Sequence, residues 1–100
     1  MTKKERLRLN TIHVFEMVKL NFNMSTDFND DEGHGYFTFG VMENGEEYLF
    51  DLSRREFSVT SHKIRGEKGY NKSRELEKEL ETFIQNELII TNGMIDNIFK

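Results

Sequence analysis

The sequence predicts an α+β domain in which a three-stranded antiparallel meander packs against an N-terminal helix and one or two C-terminal helices, in the order α-β-β-β-α-α. Three observations carry this expectation: apolar residues alternate with period two between Gly35 and Ile64, the dipeptide Asn44-Gly45 separates two of the alternating runs, and apolar residues recur at helical spacing from Leu76 to Leu88. At 100 residues the chain makes a single domain, 1–100. A chain of this length buries only about 60–70% of the surface its unfolded form exposes, which allows one core. The nine Phe residues are enough to fill it, and without a cysteine the core must hold by packing alone.

Each element follows from local chemistry. Thr2 as N-cap with Glu5 three residues on makes a capping box, and the helix it opens places Leu7, Val14, Phe15, Val18 and Phe22 on one stripe. Residues 10–24 also alternate in the manner of a strand, through Ile12, Val14, Val18, Leu20, Phe22 and Met24, broken at Glu16. The helix is favoured, because residues 3–9 are strong helix formers and strands usually run only about 5–6 residues. Ser25 to Gly35 is polar, acidic and ends in glycines, so it is expected to be an exposed loop.

With Asn44-Gly45 as a two-residue type I′ turn, Val41 faces Tyr48, Phe39 faces Phe50 and Phe37 faces Leu52. Taking Arg54-Arg55 as the next turn sets Leu52 opposite Phe57, Phe50 opposite Val59 and Tyr48 opposite Ser61. The resulting apolar face needs a cover. The cover is a helix capped by Ser73, with Glu75 and Glu77 in its first turn and Leu76, Leu80, Phe83, Ile84 and Leu88 turned inward. Glu77, Lys78, Glu81 and Gln85 would face outward, and Thr91-Asn92-Gly93 would end the helix. Met94, Ile95, Ile98 and Phe99 then form a short terminal helix docked on the core or on a partner.

The sequence discards most chemistries. Thiolate metal sites and a cysteine nucleophile are excluded by composition. Asp27, Asn29 and Asp31 take the first, third and fifth positions of a calcium loop, but Glu32 and Thr38 stand where an EF-hand needs Gly and Glu. His13, His34 and His62 are separated by 21 and 28 residues, without the spacing that puts two ligands on one helix face. No nucleophile elbow, zincin or Walker sequence is present, so neither enzymatic activity nor a cofactor or metal is expected. No apolar run approaches the roughly 18–20 residues of a membrane span, and the N-terminus lacks the apolar stretch of a signal peptide; a cytoplasmic protein without membrane contact is the expectation.

The formal charge of −4 is segregated: residues 1–26 and 54–72 are net positive, whereas 27–32, 43–51 and 74–100 are net negative. The basic stretch includes Arg54, Arg55, Lys63, Arg65, Lys68, Lys72 and Arg74. Its run Gly66-Glu67-Lys68-Gly69-Tyr70-Asn71-Lys72-Ser73-Arg74 resembles the glycine-containing basic start of the last helix in double-stranded RNA-binding domains, whose helix–three strands–helix order is also similar. That resemblance implies RNA contacts through Arg65, Lys68, Lys72 and Arg74. The chain departs from the family by carrying Glu75, Glu77, Glu79 and Glu81 in the first turns of that helix.

A composition rich in Lys, Glu, Asn and Ile, without Pro or Cys, looks like that of small proteins of phages and mobile elements. Together with the element order and acidic segments, it resembles small anti-CRISPR proteins that block an RNA-guided nuclease by occupying its DNA-binding surface. This resemblance rests on architecture and charge and transfers no functional residue. It implies a non-enzymatic inhibitor or regulator that holds a basic protein partner, such as a nucleic-acid-binding nuclease complex, through carboxylates. The carboxylates available are Asp27, Asp30, Asp31 and Glu32 before the first strand and Glu43, Glu46 and Glu47 at the hairpin tip, which the register places toward opposite ends of the sheet. A homodimer joined through Met94–Phe99 or a sheet edge is a further possibility from the sequence.

Overall fold

In a computed structural model the chain runs α1 (Lys3–Asn21), β1 (Met24–Asp31), β2 (Tyr36–Glu43), β3 (Glu46–Ser53), β4 (Val59–Ser61) and α2 (Glu67–Ile98). The structure describes residues 1–31, 35–62 and 67–98, with the backbone alone at Asp31 and residues 67–70. The four strands form one antiparallel sheet in the order β1-β2-β3-β4. The α+β class and the meander packed on helices are as expected from the sequence, with one strand more.

α1 starts after Thr2, which caps it as expected. The Glu5 N–H donates to Thr2 Oγ1 at 3.1 Å and the Thr2 hydroxyl donates to the Glu5 carboxylate at 3.1 Å. Helix, not strand, is the state of residues 10–21. Val14 and Val18 are fully buried, and Leu7, Phe15 and Phe22 pack beside them as the stripe requires. The central hairpin has the expected register, Val41 opposite Tyr48, Phe39 opposite Phe50 and Phe37 opposite Leu52. Its turn holds Asn44 and Gly45 at φ 54° and 80°, the left-handed pair a type I′ turn demands.

The structure corrects several of the expectations. The acidic segment after α1 is the edge strand β1 rather than a loop. Only Met24 and Phe28 on it are apolar and packed inward, and register shifts on both sides of Thr26 break the period-two pattern that would have marked it. Gly40 admits this strand: a Cβ there would lie 2.4 Å from Ser25 Oγ and 2.8 Å from Thr26 Oγ1.

The β3–β4 connection is longer than a two-residue turn. Leu52 therefore faces Val59, and Phe50 faces Ser61, a shift of two residues from the pairing expected. Phe57, placed in the third strand by its hydrophobicity, instead sits buried in the connection at φ 57°, its N–H donating to the Ser53 carbonyl at 3.1 Å.

The C-terminal region is one helix. α2 begins at Glu67, so Ser73 caps nothing; it is buried and donates to Ser61 Oγ at 2.8 Å. α2 also continues through Thr91-Asn92-Gly93, because Thr91 and Ile95 remain buried along the same side and Thr91 Oγ1 donates to the Glu87 carbonyl at 2.9 Å. Of the tail residues, Ile95 is buried while Met94 and Ile98 are exposed; Phe99 lies outside the described residues.

Both helices contribute to a single core, in which Val14, Val18, Leu76, Leu80 and Ile84 meet Phe39, Val41, Phe50, Leu52 and Val59 of the sheet. Glu77 and Glu81, expected to face water, are half-buried and close the sheet together with Gln85, which is exposed as expected. The Val59 and Ser61 N–H groups, which point away from β3, donate to Glu81 at 3.2 Å and Glu77 at 3.1 Å, and Gln85 Nε2 donates to the Phe57 carbonyl at 3.1 Å. Three side chains spaced four residues apart on α2 thus stand in for a fifth strand.

Candidate anion-binding groove

The meander brings the β3–β4 connection to the end of the sheet away from the Asn44-Gly45 turn, where the Arg54 N–H donates to the Gly35 carbonyl at 3.0 Å. The first turns of α1 lie against this end. Between them is a groove of about 1130 Å³, walled by Lys3, Lys4, Leu7, Arg8, Thr11 and Ile12 of α1 on one side and Phe37, Arg54 and Arg55 on the other. Five of these nine residues are cationic and none carries a carboxylate.

Arg54 is held on two sides. Asp30 of β1 pairs with its guanidinium, which lies over the Phe37 ring with its carbon 4.7 Å from the centroid. Phe37 in turn meets Phe15 edge to face at 4.9 Å. Lys3, Lys4, Arg8 and Arg55 have no ion-pair partner among the described residues, and all four are exposed. The N-terminal end of α1 adds the positive pole of its dipole to the same region. Arg6 serves another purpose: it pairs with Asp96 at 2.6 Å and donates to Asn92 at 3.2 Å, tying α1 to the C-terminal half of α2.

No family model, curated protein or solved structure matches this chain. The site must be read from its own chemistry.

The acidic residues do not gather into one patch. Asp27 pairs with Lys19 at 3.0 Å and accepts the Phe28 N–H at 2.7 Å; these two bonds hold its carboxyl below the usual carboxylate range. Asp30 is committed to Arg54. Glu43 takes the Lys72 ammonium at 2.7 Å, which raises the lysine pKa, while its Oε2 is buried without a hydrogen-bond partner. Glu46 accepts the Tyr48 hydroxyl at 3.0 Å; partial desolvation, then this bond, pushes the phenol pKa upward. Glu47 is exposed at the hairpin tip. Asp30 and Asp31 lie at the other end of β1–β2, as the register requires; Glu32 and the Asp31 side chain lie outside the described residues.

The basic residues preceding the expected last helix fare similarly. Lys72 is taken by Glu43 and lies 3.6 Å from Glu75, and Arg74 lies 3.3 Å from Glu77. Arg65 and the Lys68 side chain lie outside the described residues. Among the described residues no three His, Asp or Glu side chains are grouped to hold a metal ion, and no helix is long and apolar enough to cross a membrane. His13 pairs with Glu87 at 2.8 Å and His62 with Asp51 at 3.1 Å, so both imidazoles serve contacts between elements.

Sequence reasoning missed the groove because its walls come from segments far apart in the chain. The available signal was the pair of positive blocks, 1–26 and 54–72, whose meeting depends on topology.

Proposed function

We propose that the protein is a non-enzymatic module that binds nucleic acid through the groove between α1 and the β3–β4 connection. One observation carries the reading: in a chain of formal charge −4, five cationic side chains line a single concavity to which no carboxylate-bearing residue contributes among the described residues. Such a surface binds the phosphate backbone electrostatically and releases its counterions. The contacts fall on Lys3, Lys4, Arg8, Arg54 and Arg55, rather than on Lys72 and Arg74, whose charges are already paired.

Neutralising the four unpaired cations together, K3Q/K4Q/R8Q/R55Q, is expected to abolish most of the affinity while leaving the fold intact, since all four are exposed. If each meets one phosphate of a single strand, the slope of log K against log salt shrinks by about 2.8, from about 0.7 per phosphate. Fluorescence anisotropy of a labelled oligonucleotide, read across a salt series with circular dichroism as the folding control, measures both. Unchanged affinity and slope in the quadruple variant would refute the assignment.

The hairpin tip supports a second reading, the anti-CRISPR-like inhibitor that occupies a basic partner's cleft. Glu46 and Glu47 are exposed there with no cation paired to either among the described residues, at the end of the sheet opposite the groove. Reversing both, E46K/E47K, is expected to eliminate retention of a purified basic nuclease complex on the immobilised protein. Undiminished retention, or none by the unaltered protein, would count against this reading.

A further inference from the structure

We infer that the groove takes single-stranded nucleic acid in preference to duplex, with a base laid on the guanidinium of Arg54; this rests on the nucleic-acid reading above. The groove offers more than charge. Arg54 is a planar cation fixed from below by the Phe37 ring at 4.7 Å and from the side by Asp30, and it still lines the open groove, with 36% of its side chain exposed. A guanidinium held in this way is a stacking platform for an unpaired base, which a mobile lysine ammonium is not.

Leu7 and Ile12 continue the wall with aliphatic surface, and Ile12 is 46% exposed although it lies beside cationic neighbours. A single strand uses both chemistries, its phosphates meeting Lys3, Lys4, Arg8 and Arg55 while its bases cover Arg54 and the aliphatic wall. A duplex keeps its bases stacked on one another, and its convex backbone meets only the rim of a concavity. The Asp30 pairing fits this division: it removes net charge from Arg54, a loss for a phosphate contact, and fixes the plane, a gain for stacking.

The test compares a mixed-sequence single-stranded DNA oligonucleotide, the same sequence as a duplex, and an abasic strand of equal length, by anisotropy at one salt concentration. The unaltered protein should favour the single strand over the duplex and over the abasic strand by about 5- to 150-fold, the span of one stacked base. R54K, which keeps the charge and loses the plane, should bind the intact strand no better than the abasic strand, whatever affinity the three probes share. The abasic comparison needs no variant and stands even if R54K is poorly folded. Equal binding of all three probes, or a preference that survives in folded R54K, overturns the stacking inference and leaves the groove reading standing. Failure to bind any of the three overturns both.

Discussion

Phe39→Ala is expected to lower stability by about 3–5 kcal/mol, a large part of the roughly 5–15 kcal/mol that holds a domain of this size. Phe39 is fully buried and lies at the junction of everything that packs on the sheet: its ring centroid is 5.7 Å from that of Phe50 on β3 and 4.8 Å from that of Phe28 on β1. Truncation leaves a cavity lined by large side chains whose backbones the ladder holds in place, so little of the volume can be recovered by collapse. Phe28 loses one of the two aromatic neighbours it has among the described residues, the other being Phe15, stacked at 4.0 Å. Chemical denaturation should show the loss as a lowered midpoint, and amide exchange should quicken first in β1. A loss below about 1 kcal/mol would contradict the packing described.

The second large effect concerns the closed edge of the sheet. The double variant E77A/E81A removes the acceptors of the Ser61 and Val59 N–H groups, both part-buried, at an expected cost of about 2–5 kcal/mol for the pair. The same positions changed to glutamine keep a carbonyl oxygen within reach, so E77Q/E81Q should recover most of that loss. Thermal unfolding of the two double variants side by side decides the matter. Equal destabilisation by alanine and glutamine would show that charge, through pairs such as Arg74–Glu77 at 3.3 Å, matters more than edge closure.

The contrast between these two sites explains how much of the molecule could be read in advance. Phe39 and its partner were legible because a two-residue turn leaves one register, and because Phe37, Phe39 and Val41 show period two without interruption. β1 was not: two register shifts scramble its alternation, and carboxylates occupy half of its remaining positions. Glu77 and Glu81 have the spacing of a solvent-facing row. Only the position of β4 beside α2 turns that row into a hydrogen-bonding edge. Phe57 misled for a different reason: a buried aromatic residue in a connection obeys the core's demand for volume, not the strand's period.

The candidate surface was harder still to anticipate. Summing charge along the chain marks positive segments, but which cations stay unpaired depends on neighbours the sum does not see. Lys19, Lys72 and Arg74 are consumed by Asp27, Glu43 and Glu77, while Lys3, Lys4, Arg8 and Arg55 remain unpaired among the described residues. Local chemistry decides the elements, and topology decides which charges they leave over.

The sheet order repeats the chain order, which bears on how the molecule assembles. Every strand pairs with its neighbour in sequence, so the ladder can zip by closing short loops at small entropic cost. The seam between the helices is different, joining Arg6 to Asp96 and His13 to Glu87 across most of the chain. It closes the longest loops, whereas α1 also meets the sheet locally, with Phe15 stacked on Phe28 and edge-on to Phe37. The nine residues that wall the groove all lie at or before Arg55, so a chain still being synthesised carries them before α2 is made.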